Sequence, residues 1–251
     1  MADAPSQVPR KKFDRSIVDG PLSTAVWKLA WPTMLQNVIG GLQGVIDHAM
    51  VGHHVGLAGN AAIGVSIQIF ILVIVFIASV FSGMGVLVAR FAGANDHEGV
   101  NHTVWQAFLV AVFMSVVVLA PLGYVMAPWL LTLVNAAPQV QAEALPYLRI
   151  MFATNIGMMM FFMMSGALRA AGDAQTTLRM GAAMTILNIT FNVILIGGLG
   201  PIPAMGTSGA AIGTAMASCL ASGTVIWMMF SDKLVIRFHG GMAIKPDWTI
   251  I

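Results

Sequence analysis

The sequence predicts an all-α polytopic membrane protein with six transmembrane helices, and three observations carry that prediction. Only 9% of the 251 residues are Asp, Glu, Lys or Arg, and 58% are hydrophobic. An ordinary soluble domain uses roughly 25% charged residues to cover its water-facing surface. The mean hydropathy is +0.85. Uncharged stretches reach from 99 to 142 and from 180 to 231, and about 20 apolar residues cross a bilayer. These runs are continuous where a transmembrane barrel would alternate with a period of two. A formal net charge of +2 with no basic cluster argues against nucleic acid as a partner. Cys219 is the single cysteine, so an intramolecular disulfide or a Cys-based metal site is excluded.

Each element follows from where charges and helix breakers fall, because a charge at the bilayer centre costs about 2.5–3.5 kcal/mol on insertion scales. Residues 1–28 are polar and basic, with no short apolar core and cleavage site, and read as a cytoplasmic tail whose first helix acts as its own anchor. The first span, 29–51, is interrupted only by Asp47, and Pro32 should bend it by removing a backbone hydrogen bond. The second, 61–89, stops at Arg90. The third, 103–124, has its apolar core before Leu119, with Pro121 and Pro128 breaking the pattern beyond it. Arg149 and Arg169 bracket the fourth, 148–168. The Gly197-Gly198-Leu199-Gly200-Pro201-Ile202-Pro203 run divides the last uncharged stretch into a fifth span, 178–199, and a sixth, 208–231. Residues 232–251 read as a cytoplasmic segment that begins a linker.

With six spans, the tails and the two even-numbered loops share one side and hold every Lys and Arg of the 12 except Arg149. That asymmetry predicts both termini in the cytoplasm, for a multi-pass protein of the inner (cytoplasmic) membrane. The loops on that side resemble each other, Arg90-Phe91-Ala92-Gly93 before Asp96 and Arg169-Ala170-Ala171-Gly172 before Asp173. Arg anchors the helix end at the headgroups and Gly ends it.

Nine of the ten acids fall in tails, loops or span ends, and Asp47 does not. An ionisable residue within a span marks a functional site by default. Gln36, Gly40, Gln43 and Asp47 are spaced four, three and four apart, one polar face of a helix. Such a face turns to a bundle interior or an aqueous cavity, since an unpaired amide in hydrocarbon costs several kcal/mol. Thr185, Asn188 and Asn192 share a face of the fifth helix, and Thr214 and Ser218 lie one turn apart in the sixth. A bundle gathering Asp47, Asn188, Asn192 and Thr214 would offer hard oxygen ligands for Na⁺ or a desolvated carboxyl that exchanges a proton. Gln36, Gln43, Asn155 and Ser165 are candidates to line a cavity beside it. Met158, Met159, Met160, Met163 and Met164 crowd the fourth helix, where packing and an adaptable apolar surface are both open readings. His48, His53 and His54 read as interfacial residues, without a carboxylate or Cys set to complete a metal site. No phosphate-binding glycine loop, zinc motif or intramembrane serine-protease motif occurs, so the chain is not read as an enzyme and needs no cofactor beyond a coupling ion.

Several segments together resemble the multidrug and toxic compound extrusion (MATE) family. They are Gly20-Pro21-Leu22, Pro32, Asp47-His48-Ala49-Met50-Val51-Gly52, Gly93-Ala94, Pro138 through Tyr147-Leu148-Arg149, Leu168-Arg169-Ala170-Ala171-Gly172-Asp173, Asn188, Asn192, and Gly209-Ala210-Ala211-Ile212-Gly213-Thr214. The resemblance runs over about residues 20–235. It implies efflux of cationic, often aromatic compounds in exchange for H⁺ or Na⁺ by alternating access between two six-helix lobes, this chain being similar to the N-terminal lobe. It implies that Asp47 is the coupling carboxylate, Asn188, Asn192 and Thr214 its partners, and Pro32 the bending proline. Some family members carry Asp at the position of Asn192, so the site here has one carboxylate. The expected partners are the bilayer, organic cations and a second six-helix lobe, from the same gene downstream, a separate chain or a homodimer. Two alternatives remain open at this level, a non-transporting assembly module or remnant and a lipid-linked oligosaccharide flippase. The flippase would call for several basic residues in the span interiors, which hold none, Arg149 and Arg179 lying at span ends.

Overall fold

The computed structural model describes residues 20–231 and 233–238, and their regular structure is helical throughout. In chain order the helices are α1 (Leu22–His54), α2 (Leu57–Gly93), α3 (His97–Phe113), a π-helical segment (Met114–Leu119), α4 (Ala120–Leu133), α5 (Pro138–Ala153), α6 (Asn155–Ala170), α7 (Ala174–Gly197) and α8 (Gly206–Phe230). The tail 1–19, residue 232 and residues 239–251, which complete the expected tail and linker, lie outside the described residues.

Most helices overrun the expected spans, and the starts of two are set by side-chain caps. Pro21 precedes α1, and its missing N–H costs nothing at a helix start. Asp96 and Asp173 are N-caps: the Asp96 side chain accepts from Gly99 N at 2.9 Å, and Asp173 accepts from Thr176 N and Oγ1 at 3.2 and 2.8 Å. The two similar loops therefore pair a basic helix end with an acidic helix start. Gly does not end α2, however: Gly93 is still helical, and Asn95 takes the positive φ of 59°. Gly172, with φ of 87°, makes the corresponding turn after α6.

Two expectations about single spans are corrected. Pro121 and Pro128 do not terminate the third span, since helix continues from His97 to Leu133. Proline lacks the N–H for the carbonyl four residues back and crowds it, and the π-helical turn just before Pro121 widens the backbone at that place. The helix expected over the fourth span begins earlier, at Pro138, and is broken: α5 and α6 meet at Thr154 with a bend of 56°. Thr154 there turns its hydroxyl back onto Ile150 O at 2.7 Å.

Among the described residues, α2, the His97–Leu133 run, α7 and α8 are each long and apolar enough to cross a bilayer, and the bent α5–α6 pair would make a fifth span. α1, at 33 residues, exceeds the length a crossing needs, but its glycines, amides and Asp47 make it less apolar than the others. α7 packs most closely on α8 and on α1. The α7–α8 approach depends on Gly209 and Gly213: a Cβ at Gly209 would lie 2.6 Å from Leu195 O, and one at Gly213 would fall on Asn192 Oδ1. Small residues four apart let transmembrane backbones approach this closely.

The methionines of α6 belong to the interior. Met159, Met163 and Met164 are fully buried, in a cluster with Met84, Leu168 and Met229. Packing is their role, and they do not form an open surface. The chain after α8 folds back on the same cluster: Leu234, Ile236 and Phe238 are buried, Phe238 sits edge-on to Trp105 at 5.2 Å, and Arg237 N donates to Asn101 Oδ1 at 2.9 Å.

Candidate functional site

Three helices bring the polar faces read from the sequence together. α1 contributes Asp47 seven residues before its end at His54, about two turns inside the helix. The shortest link in the site crosses from α7: Asn192 Nδ2 donates to Asp47 Oδ1 at 2.7 Å and also lies 3.2 Å from Asn188 Oδ1, one turn away. Asn188 Nδ2 in turn donates to Thr214 Oγ1 on α8 at 2.9 Å. Asp47, Asn192, Asn188 and Thr214 thus form one chain of hydrogen bonds across α1, α7 and α8.

One turn along α1, Gln43 Oε1 accepts from Thr185 Oγ1 at 2.8 Å, and the Gln43 side chain also reaches Asp47. A further two turns back, Gln36 packs on Gly181, where a Cβ would lie 3.0 Å from its Cγ. The α1–α7 seam is therefore polar along its length. Matching periodicity on the two helices produces this: Gln36, Gln43 and Asp47 repeat at seven and four, and Gly181, Thr185, Asn188 and Asn192 at four, three and four.

Burial differs sharply within the site. Asn188 and Asn192 are fully buried, while Asp47 and Thr214 keep part of their surface exposed. The carboxylate is reachable from solvent or ligand, and its amide supports are not. Two acceptors are left over: Asn192 Oδ1 and Gln36 Oε1 are buried without a hydrogen-bond partner among the described residues. A buried acceptor normally finds a donor, and leaving one without costs about 1–3 kcal/mol. Asp47 and Thr214, both partly exposed, are the accessible acceptors of the site, oxygens of the kind that suit a small hard cation or a proton, while the Asn192 oxygen is buried against Gly213.

Asn155 and Ser165 do not join this chain. Asn155 sits at the α5–α6 break, where its Nδ2 donates to Phe152 O at 2.6 Å and its Oδ1 accepts from Ser115 Oγ at 2.5 Å. It braces the π-helical turn against the bend, which differs from the expected cavity lining. Ser165 is 1% exposed, and its hydroxyl has no partner among the described residues. Pro32 is buried inside an unbroken α1, ten residues after its start.

Residues outside the expected set also approach the site. Tyr147 of α5 is buried and within electrostatic reach of Asp47, and His48 Nδ1 meets Asn60 Oδ1 of α2 at 2.5 Å. Tyr147 enters the sequence reading only within the Pro138 to Arg149 segment, and its spacing there does not reveal its proximity to Asp47. Among the described residues no group of three His, Cys, Asp or Glu side chains is placed to hold a metal.

The family model MatE matches residues 32–194. Among curated proteins, the chain is 30% identical to the probable multidrug resistance protein NorM of Thermotoga maritima, over 88% of this chain and 47% of that one. It is 26% identical to the multidrug resistance protein MdtK of Cronobacter sakazakii, over 89% and 49%. Among solved structures, an outward-facing multidrug resistance MATE family transporter superposes with a TM-score of 0.85 at 22% identity, over 97% of this chain and 52% of that one. The chain spans about half the length of the relatives it matches.

Proposed function

From the premise that this chain belongs to the MatE family, we propose that it forms the N-terminal six-helix lobe of a cation-coupled antiporter that exports cationic or aromatic compounds by alternating access. α1 is the first span and brings the count to six, its polarity explained by the coupling site it carries. Both termini lie in the cytoplasm of an inner (cytoplasmic) membrane in this reading, the orientation resting on the Lys and Arg asymmetry.

The observation that carries the proposal is the bond from Asn192 to a half-buried Asp47 within a helix, beside an Asn192 oxygen that has no donor. A structural carboxylate would be saturated. This one is held by the Asn192 and Gln43 amides and keeps part of its surface exposed, so a proton or Na⁺ can be a further partner. Arrival of that ion weakens the demand of Asp47 on the Asn192 amide, and the α1–α7 seam can then shift. Pro32, which lacks one backbone hydrogen bond, is where α1 yields most easily. A change in the α1 bend alters the cavity wall and releases the exported compound to the outside. With Asn at 192, the site carries one carboxylate and so exchanges one positive charge through it.

The test uses a transporter complete with both halves in proteoliposomes. Asp47→Asn should bring ion-driven ethidium efflux to background while membrane insertion and thermal stability stay near the parent's. Retained efflux with a normal ion dependence would overturn the proposal.

A further inference from the structure

A second site lies away from the polar seam, in the groove between the C-terminal half of α2 and the N-terminal half of α3. A cavity of about 430 Å³ opens there, within the range of roughly 300–1,000 Å³ that ligand sites occupy. Gly83, Met84 and Leu87 form one wall, and Thr103, Gln106 and Val110 the other. Its walls are apolar apart from the Thr103 and Gln106 side chains, both 1% exposed and set into the floor.

Leu87 is the last α2 residue of the cavity lining, and Arg90 follows about one helical turn beyond it. Arg90 is seven residues after Gly83 and three after Leu87, which puts it on the groove face of α2, and it is exposed. No acidic residue lines the groove. Of the two acids at this end of the hairpin, Asp96 is occupied as the α3 cap and Glu98 stands exposed in the first turn of α3. A basic side chain at the mouth of a long apolar trough is complementary to a molecule with an anionic head and a hydrocarbon tail, and repels an organic cation. Helices this apolar have lipid as their solvent, so that molecule is at hand.

We infer that the α2–α3 groove is a specific phospholipid site, with one acyl chain between Gly83 and Val110 and an anionic headgroup phosphate on Arg90. Arg suits the phosphate because its guanidinium gives paired, charge-assisted hydrogen bonds. Gly83 keeps the trough open: a Cβ there would meet nothing within 4 Å, so the space is available to a tail. Gly85, two residues on and so about 200° round the helix, lies outside the groove, is equally unobstructed and serves as a control.

The full chain would be extracted from vesicles of mixed phosphatidylglycerol and phosphatidylcholine and its retained lipid measured by native mass spectrometry, with a diazirine-tailed phosphatidylglycerol to map the tail. Arg90→Gln should lower phosphatidylglycerol retention about tenfold, the loss of one charge-assisted contact, and Arg90→Lys should keep most of it. Gly83→Leu should lower retention of both lipids and Gly85→Leu of neither, with crosslinks falling on residues 83–90 and 103–110. An unchanged phosphatidylglycerol preference in Arg90→Gln would overturn the inference. So would equal effects of the two glycine variants, displacement of the lipid by ethidium, or a groove crosslinked to protein instead of lipid.

Discussion

The α1–α7–α8 seam and the junction of the π-helical turn with the α5–α6 break both bury asparagine, and they use it in opposite ways. At the junction, Asn155 closes its bonds: it donates to a freed carbonyl and accepts from Ser115, leaving neither its oxygen nor its amide idle. At the seam, Asn192 spends its amide on Asp47 and Asn188 and leaves its oxygen bare. A satisfied asparagine fixes a backbone irregularity. An asparagine whose oxygen lacks a donor, beside a carboxylate that is still accessible, leaves hydrogen-bonding capacity unspent at the site. Burial alone does not separate the two, since both residues are buried.

Removing the charge of Asp47 should give the widest separation between the regions. Asp47→Asn is expected to lower ion-driven efflux to background with little change in melting temperature, whereas Asn155→Ala should leave efflux per folded molecule near the parent value. If Asn155→Ala abolished coupling while the protein stayed folded, the division between support and site would fail.

Stability should respond in the reverse order. Asn155→Ala leaves Ser115 Oγ and the Phe152 carbonyl without that partner, and a buried polar group left unpaired costs about 1–3 kcal/mol. A fall in detergent melting temperature, larger for Asn155→Ala than for Asp47→Asn, is the expected result. Ser115→Ala should reproduce part of it.

The helical architecture was legible because charge and hydropathy act locally along the chain. The polar faces of α1 and α7 were legible for a similar reason: Gln43 with Asp47 and Asn188 with Asn192 each repeat at one helical turn. Three features were not. The π-helical turn before Pro121 depends on how a helix absorbs a missing N–H, and a proline alone reads as a stop. The break at Thr154 falls in an apolar run with no Gly or Pro at the bend, and only the partner Ser115, distant in sequence, shows what Asn155 is for. The groove by Arg90 arises between two helices and has no signature on either one.

The glycines of α8 sharpen the comparison further, because they touch the seam from outside its hydrogen bonds. A methyl at Gly213 would fall on the open oxygen of Asn192, while one at Gly209 would press 2.6 Å from Leu195 O. Gly213→Ala should weaken the ion dependence of efflux about tenfold, or 1.4 kcal/mol, because it fills or turns aside the free acceptor. Gly209→Ala should cost about 1–3 kcal/mol of stability through backbone overpacking with less effect on ion dependence. An equal loss of ion dependence in both would mean that helix spacing, and not the Asn192 oxygen, governs the site.

The smallest effect should come from Thr185, at the edge of the seam. Its hydroxyl donates to Gln43 Oε1 at 2.8 Å across α7 and α1, and it is half-buried. Interhelical hydrogen bonds in membrane proteins average about 0.6 kcal/mol because the separated helices find other partners. Thr185→Val keeps the shape and removes the donor, so the melting temperature should barely move. Gln43 would lose the contact that holds its carbonyl, and its amide would turn more freely beside Asp47. A small change in ion dependence without a change in stability would show that Gln43 is held for the sake of the carboxylate. A loss of stability alone would place Thr185 with Asn155, among the polar residues that only fasten helices together.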